Sequence, residues 1–199
     1  MVACGERSRN RGVSLVELLV VIVILGILLR MAWLPFQVML ENQRLRTVAS
    51  DLAADLALAR AEAIKRSSRV GIARTTADWA GGWVVFDDVD RDGTFDPETD
   101  GDGLCEAGEE CVLLARPAVS ATVKVCVTGV GGGVVAGDTL TFGPDGAVRS
   151  FSAGAVAVPA VTGITISSTL AAPDITPRRI EFSPGGRVAV VSAGVVACP

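Results

Sequence analysis

Residues 13–35 constrain this chain more than any other feature. Between Val13 and Pro35 only Glu17 and Arg30 carry charge, and Leu18 to Leu29 contains no polar side chain. A helix of about 20 such residues spans the hydrocarbon core of a bilayer, so residues 13–35 are expected to form a single membrane-crossing helix. Arg7, Arg9 and Arg11 precede the run and no comparable basic cluster follows it at once. That asymmetry places the N-terminus in the cytoplasm. A cleavable secretory signal has its small-residue cleavage site after the apolar stretch; here the small residue, Gly12, stands before it. Glu17 lies inside the apolar segment. A carboxylate costs about 2.5–3.5 kcal/mol at the centre of an inserting helix and less near its end, so Glu17 calls for a cationic partner.

Past Pro35 the pattern turns amphipathic. Leu45, Val48, Ala49, Leu52, Leu56, Ala59 and Ala63 recur at spacings of three and four, while Arg44, Arg46, Asp51, Asp55, Arg60 and Lys65 fall on other faces. No glycine or proline interrupts residues 36–66, and Ser67-Ser68 is a weak stop. Residues 13 to about 66 thus read as one helix on the order of 80 Å long, with residues 36–68 as its amphipathic half. Its apolar stripe is expected to pack on a sheet. Residues 69–199 switch to short β-branched runs separated by Gly, Pro and Asp. Expected strands are Arg69–Arg74, Trp83–Phe86, Val112–Ala115, Thr122–Val127, Thr139–Phe142, Ala147–Phe151, Gly163–Ser168, Arg178–Phe182 and Arg187–Val191. Their close spacing without intervening helices argues for antiparallel sheet. Phe142-Gly143-Pro144-Asp145-Gly146-Ala147-Val148 and Phe182-Ser183-Pro184-Gly185-Gly186-Arg187-Val188 look like two copies of one hairpin turn. Gly129–Gly137 and Ser152–Thr162 read as flexible loops.

Arg11-Gly12-Val13-Ser14-Leu15-Val16-Glu17-Leu18-Leu19-Val20-Val21-Ile22 resembles the class III prepilin signal of type IV pilins and type II secretion pseudopilins. The resemblance implies that a prepilin peptidase cuts after Gly12 and methylates the new N-terminus at Val13. It leaves a glutamate fifth in the mature chain, the place of Glu17, to answer the N-terminal amine of a neighbouring subunit. Val13 departs from the phenylalanine usual there. Leu58-Ala59-Arg60-Ala61-Glu62-Ala63-Ile64-Lys65-Arg66 and the paired Phe-x-Pro-x-Gly-x-Val turns are similar to the FimT/GspH branch of minor pilins. The implied fold is α+β, a long N-terminal helix packed on an antiparallel β-rich domain. The implied organisation is a leader at 1–12, a transmembrane and assembly helix at 13–35, and a periplasmic domain at 69–199. Other pilins, the peptidase and the inner membrane are the implied partners. A minor pilin or pseudopilin, a structural subunit of a type IV pilus or type II secretion system, is the implied function.

The chain has no histidine and no tyrosine. That excludes a histidine-ligated zinc site, a Ser–His or Cys–His nucleophile pair and a histidine general base, and no phosphate-cradling glycine loop is visible. The expectation is a protein that is not an enzyme and uses no organic cofactor. The formal net charge of −4 hides a segregation, because residues 87–110 hold 11 of the 22 acids and a single base, Arg91. Asp88-x-Asp90-x-Asp92-Gly93 has the ligand spacing of a calcium loop, but its twelfth position is Thr99, not a bidentate glutamate. A second register, Glu98-x-Asp100-x-Asp102-Gly103 with Glu109 twelfth, fits except for its first residue. Asp88, Asp90, Asp92, Asp96, Glu98, Asp100, Asp102 and Glu109 are therefore the candidate ligands for one or two structural Ca²⁺ ions; the alternative is a solvated acidic insertion between two strands.

Cleavage after Gly12 would remove Cys4 and leave four cysteines, an even number that suits disulfides in an exported domain. Of three possible connectivities, Cys105–Cys111, a small loop, with Cys126–Cys198, which would pin the C-terminus to the sheet, is favoured. An alternative function is a pilus-associated DNA receptor for transformation, resting on a resemblance to pilins with a C-terminal Gly-Arg-x-Arg motif. Here Gly186-Arg187-Val188-Ala189 lacks the second arginine, and Arg178 and Arg179 are the nearest substitutes.

Overall fold

The computed structural model describes residues 13–96, 110–129, 134–135, 137–153, 156–157, 161–170, 172–183, 185–192, 194 and 198. The chain forms two compact units, Met1–Met39 and Leu40–Pro199. One helix, α1 (Leu15–Arg66, 52 residues), contributes to both. Ser14 opens it: its Oγ accepts the Glu17 backbone N–H at 3.2 Å and its carbonyl accepts that of Leu18. Ser14-x-x-Glu17 is thus a capping sequence, with an acid in the first turn where the helix dipole favours one.

In the first unit every side chain from Val13 to Met31 is exposed, so this stretch of α1 offers apolar surface all round. Among the described residues no single helix is long and apolar enough to cross a membrane, whereas Leu15–Met31 taken together with Pro35–Arg66 is. Pro35 lies inside the helix, where it removes one backbone hydrogen bond and crowds the preceding turn. At the other end Ser67 adopts a positive φ of 53°. Ser67 donates its N–H to the Ile64 carbonyl and Ser68 donates to Ala63, the pair of bonds of a Schellman stop. Serine here takes the left-handed place usually given to glycine, which is why the stop is faint in the sequence.

The second unit packs residues 40–66 of α1 on two antiparallel sheets. The strands are β1 (Arg69–Arg74), β2 (Trp83–Asp88), β3 (Val112–Arg116), β4 (Val123–Gly129), β5 (Val134–Val135), β6 (Thr139–Phe142), β7 (Val148–Ala153), β8 (Val156–Ala157), β9 (Val161–Ser168), β10 (Arg178–Phe182) and β11 (Val188–Ser192). Their orders are β3-β2-β1-β6-β7-β8 and β11-β10-β9-β4-β5. All nine expected strands are present, and the fold is the expected α+β. Two expectations are corrected. The stretches 129–137 and 152–162 contain the short strands β5 and β8. A two-residue strand carries no readable alternation and exists by pairing: Val127 and Thr128 register with Val135 and Val134, and Ser152 and Ala153 with Ala157 and Val156.

The helical stripe is the heart of the core. Leu45, Ala49, Leu52, Leu56, Ala59 and Ala63 are fully buried, and Val48 nearly so. They meet Val70, Ile72, Trp83, Val85, Leu140 and Phe142 of the first sheet and Val123, Val125, Val127, Ile164, Ile166 and Ile180 of the second. Polar contacts then fix the helix in place. Arg60 donates from Nε to the Gly146 carbonyl (3.0 Å) and from Nη2 to the Gly185 carbonyl (2.9 Å), tying both hairpin turns to one side chain. The turns are built alike: Gly146 and Gly186 have φ of 73° and 72°. They also touch, since a Cβ on Gly186 would lie 2.0 Å from the Gly146 carbonyl oxygen. Only glycine fits there.

Glu41 joins α1 to the second sheet. Its buried carboxylate accepts from Ser168 Oγ (2.7 Å), Thr122 Oγ1 (3.1 Å) and Arg44 Nη1 (3.2 Å). Burial pushes its carboxyl upward, but those hydrogen bonds and the Arg44 charge prevail and hold it below the ordinary 4.5. A depressed folded-state value stabilises the protein above the unfolded value, and that stability is lost as pH falls through the folded one. Replacing Glu41→Gln is therefore expected to cost about 1–3 kcal/mol near neutrality. The gap to the wild type should narrow below about pH 4.5. Melting curves from pH 6 to pH 3 check this, and a gap that stays constant would refute it.

Candidate functional site

The acidic segment is an insertion in the β2–β3 hairpin. β2 ends at Asp88 and β3 starts at Val112. Phe86 registers with Val112, and the Asp87 N–H bonds to the Cys111 carbonyl at 3.0 Å. Continuing that register sets Asp88 opposite Glu110. Phe95 anchors the insertion: its ring packs against Phe86 with centroids 5.0 Å apart, on the sheet face away from α1. Between them the chain curls tightly. Arg91 and Gly93 both have positive φ (67° and 78°). The carboxylates of Asp90 and Asp92 accept the backbone N–H groups of Asp92 and Thr94, and Asp92 also accepts from the Thr94 hydroxyl.

This geometry brings Asp88, Asp90, Asp92 and Glu110 together, with one carboxylate oxygen from each lying within 4.8 Å of all the others. Asp88 and Glu110 are buried, at 1% and 7% exposure. Asp88 Oδ1 faces the Gly93 N–H at 3.5 Å, and Oδ2 lies 3.6 Å from Arg69 Nη1. Glu110 Oε2 accepts the Asp96 N–H at 2.8 Å. Asp88 Oδ2 and Glu110 Oε1 are buried without a hydrogen-bond partner. Burial pushes the Glu110 carboxyl up to about 7, with repulsion from Asp88, Asp90 and Asp96 adding to it against the Asp96 N–H bond. Burial raises Asp88 as well, against the Gly93 N–H and the Arg69 charge.

The residues expected from sequence divide accordingly. Asp88, Asp90 and Asp92 converge. Asp96 is exposed and offers its N–H to Glu110, and its carboxylate is not among the four that converge. Glu98, Asp100, Asp102, Glu109 and Cys105 lie outside the described residues, as does Gly12. Glu110 was missed. The loop spacing points to a glutamate at the twelfth place, whereas this one stands just before the returning strand β3, and only the hairpin register reveals it.

Cys126 and Cys198 form a disulfide, Cα to Cα 5.7 Å, across a sequence separation of 72. Closing a loop of that length restricts the unfolded chain by about 4 kcal/mol on the chain-entropy account. Cys111 is also disulfide-bonded. The arginines of the DNA reading do not gather. Arg178 and Arg179 are neighbours on β10, so they point to opposite faces. Arg179 donates to Thr162 Oγ1 at 3.0 Å and lies 3.8 Å from Glu181, while Arg187 sits in the second hairpin turn beyond the strand. The DNA-receptor reading is not favoured.

Residues 48–186 match the family described as type II transport protein GspH, well over half of the chain. The chain belongs to the GspH family. Residues 7–31 match the prokaryotic N-terminal methylation motif. This GspH-family chain thus carries the methylation motif N-terminal to its GspH match. It is similar to the pilin-like protein PilA1 of Thermus thermophilus, 42% identical over 90 residues, a match spanning 44% of this chain and 54% of that protein. Among solved structures it is similar to the type IV minor pilin FimU of Pseudomonas aeruginosa, with TM-score 0.47 and 17% identity, covering 76% of this chain and 90% of that one. It is also similar to the minor pseudopilin EpsH of the Vibrio cholerae type 2 secretion system, with TM-score 0.44 and 12% identity, covering 74% and 95%.

Proposed function

We propose that this chain is made as a membrane-anchored precursor, cut after Gly12 by a prepilin peptidase, and drawn into a filament of pilins or pseudopilins through residues 13–40 of α1. The observation that carries the reading is the coincidence of the methylation motif at residues 7–31 with a helix whose side chains from Val13 to Met31 are all exposed and overwhelmingly apolar. Apolar surface of that extent must be covered by lipid or by like helices. A bilayer would accept the helix before assembly and neighbouring subunits after it. The positive charges of Arg7, Arg9 and Arg11 hold the leader on the cytoplasmic side, where the cut would be made. The β-rich unit would then stand on the periplasmic side and form the outer part of the subunit.

The test is the N-terminal mass of the mature protein purified from its own membranes. A chain beginning at Val13 with one methyl group on its amine is the expected result. An intact leader, or a cut after the apolar run, would overturn the proposal.

A further inference from the structure

We propose that Asp88, Asp90, Asp92 and Glu110 hold one divalent cation of the calcium class, closing the open end of the β2–β3 hairpin. The inference is independent of which filament the chain joins. Two carboxylates placed directly opposite each other on paired strands repel and weaken the pairing. Here the extended register makes Asp88 and Glu110 such a pair, with Asp90 and Asp92 curled back onto them. Arg69, 3.6 Å from Asp88 Oδ2, answers one of the four charges. Asp88 Oδ2 and Glu110 Oε1 remain buried with no hydrogen-bond donor. Buried polar atoms are nearly always satisfied, and a buried charge needs a counter-charge. A cation at the centre of the cluster supplies both.

The donor set selects the ion. Four carboxylates and no nitrogen or sulfur ligand make a hard site, suited to calcium, magnesium or manganese rather than to zinc or copper. Calcium takes six to eight oxygens at about 2.3–2.6 Å, so oxygens on opposite sides of it stand about 4.6–5.2 Å apart. Four oxygens within 4.8 Å of one another fit that sphere as they stand. Magnesium, with oxygens at about 2.0–2.1 Å in a strict octahedron, would draw them inward. Asp88, Asp90, Asp92 and Gly93 also reproduce the first, third, fifth and sixth places of a calcium loop, Gly93 taking the sharp turn at φ 78°. The acid that usually stands twelfth is replaced by Glu110, across the hairpin.

The experiment is calorimetric titration of the full-length chain in detergent with CaCl₂ and, separately, MgCl₂. The expected result is one Ca²⁺ per chain, with a dissociation constant of about 10⁻⁴–10⁻³ M or tighter and weaker binding of Mg²⁺. Asp90→Asn with Asp92→Asn changes exposed side chains and leaves the fold intact by circular dichroism; it should weaken Ca²⁺ at least tenfold. Glu110→Gln, a near-isostere, should do the same. Asp100→Asn with Asp102→Asn, in the second calcium-like register, should keep Ca²⁺ affinity within twofold. No binding at millimolar Ca²⁺ would mean a solvated acidic insertion and would overturn the proposal. So would binding that survives the Asp90/Asp92 or Glu110 changes, or that falls with the Asp100/Asp102 change.

Discussion

Replacing Asp55→Ala is expected to lower the melting temperature of the β-rich unit by about 5–15 °C. Asp55 is 3% exposed on the buried side of α1. Its Oδ2 accepts from Trp83 Nε1 (2.9 Å) and Arg116 Nε (2.9 Å), and its Oδ1 accepts from Arg116 Nη2 (3.0 Å). One carboxylate therefore joins the helix to β2 and β3. Truncating it leaves the buried Trp83 N–H without an acceptor and cuts a two-pronged ion pair. Losing one member of a fully buried pair costs about 3–5 kcal/mol. Arg116, at 39% side-chain exposure, can turn to water, which lowers the figure. A cost of about 2–4 kcal/mol follows. Asp55→Asn keeps the volume and one acceptor and should lose about half as much. Thermal melts followed by circular dichroism decide it; a change of about a degree or less for Asp55→Ala would mean that the three hydrogen bonds contribute little to stability.

Asp55 also shows where reading the sequence stopped. Apolar periodicity placed the seven stripe residues on the core face, and all seven are there. It placed Asp55 and Arg60 among the outward charges, and that is wrong for Asp55. A heptad pattern ranks side chains by hydrophobicity and knows nothing of donors 28 and 61 residues away. Burial of a carboxylate is decided by such partners. Arg60 reaches the turn carbonyls of Gly146 and Gly185 for the same reason. The repeated Phe-x-Pro-x-Gly turns were legible as turns, because proline and glycine fix local dihedrals. That they touch each other was not, because contact between segments 40 residues apart has no local signal.

The acidic site divides along the same line. Asp88, Asp90 and Asp92 were visible because consecutive loop ligands leave their spacing in the sequence. Glu110 lies two residues before β3, and its place beside Asp88 follows from pairing register rather than from spacing. Among candidate glutamates the loop pattern chose Glu109, one residue away. Hairpin register, worked outward from Phe86 and Val112, was the missing step.

Replacing Glu17→Gln is expected to cut incorporation of the protein into filaments at least tenfold while leaving its fold, its membrane insertion and its N-terminal cut unchanged. Glu17 has two roles open to it. As the third residue of α1 after Ser14, it belongs to a capping sequence. As a carboxylate in an apolar stretch, it is a charge in search of a partner, and the amine that the proposed cut would free at Val13 of a neighbouring subunit is one of opposite sign. Glutamine serves in a capping box as glutamate does, so the substitution preserves the first role and removes only the charge. An unpaired carboxylate costs about 2.5–3.5 kcal/mol at the centre of an apolar helix and less toward its end. Pairing in the filament would recover part of that, and about 1.4 kcal/mol is already tenfold in affinity. Glutamine gains nothing comparable on assembly. Sheared filament fractions from cells carrying either form, probed with antibody to the β-rich unit, give the ratio. Equal incorporation would leave Glu17 a helix cap and nothing more. Loss of the N-terminal cut as well would place its role before assembly, in recognition by the peptidase.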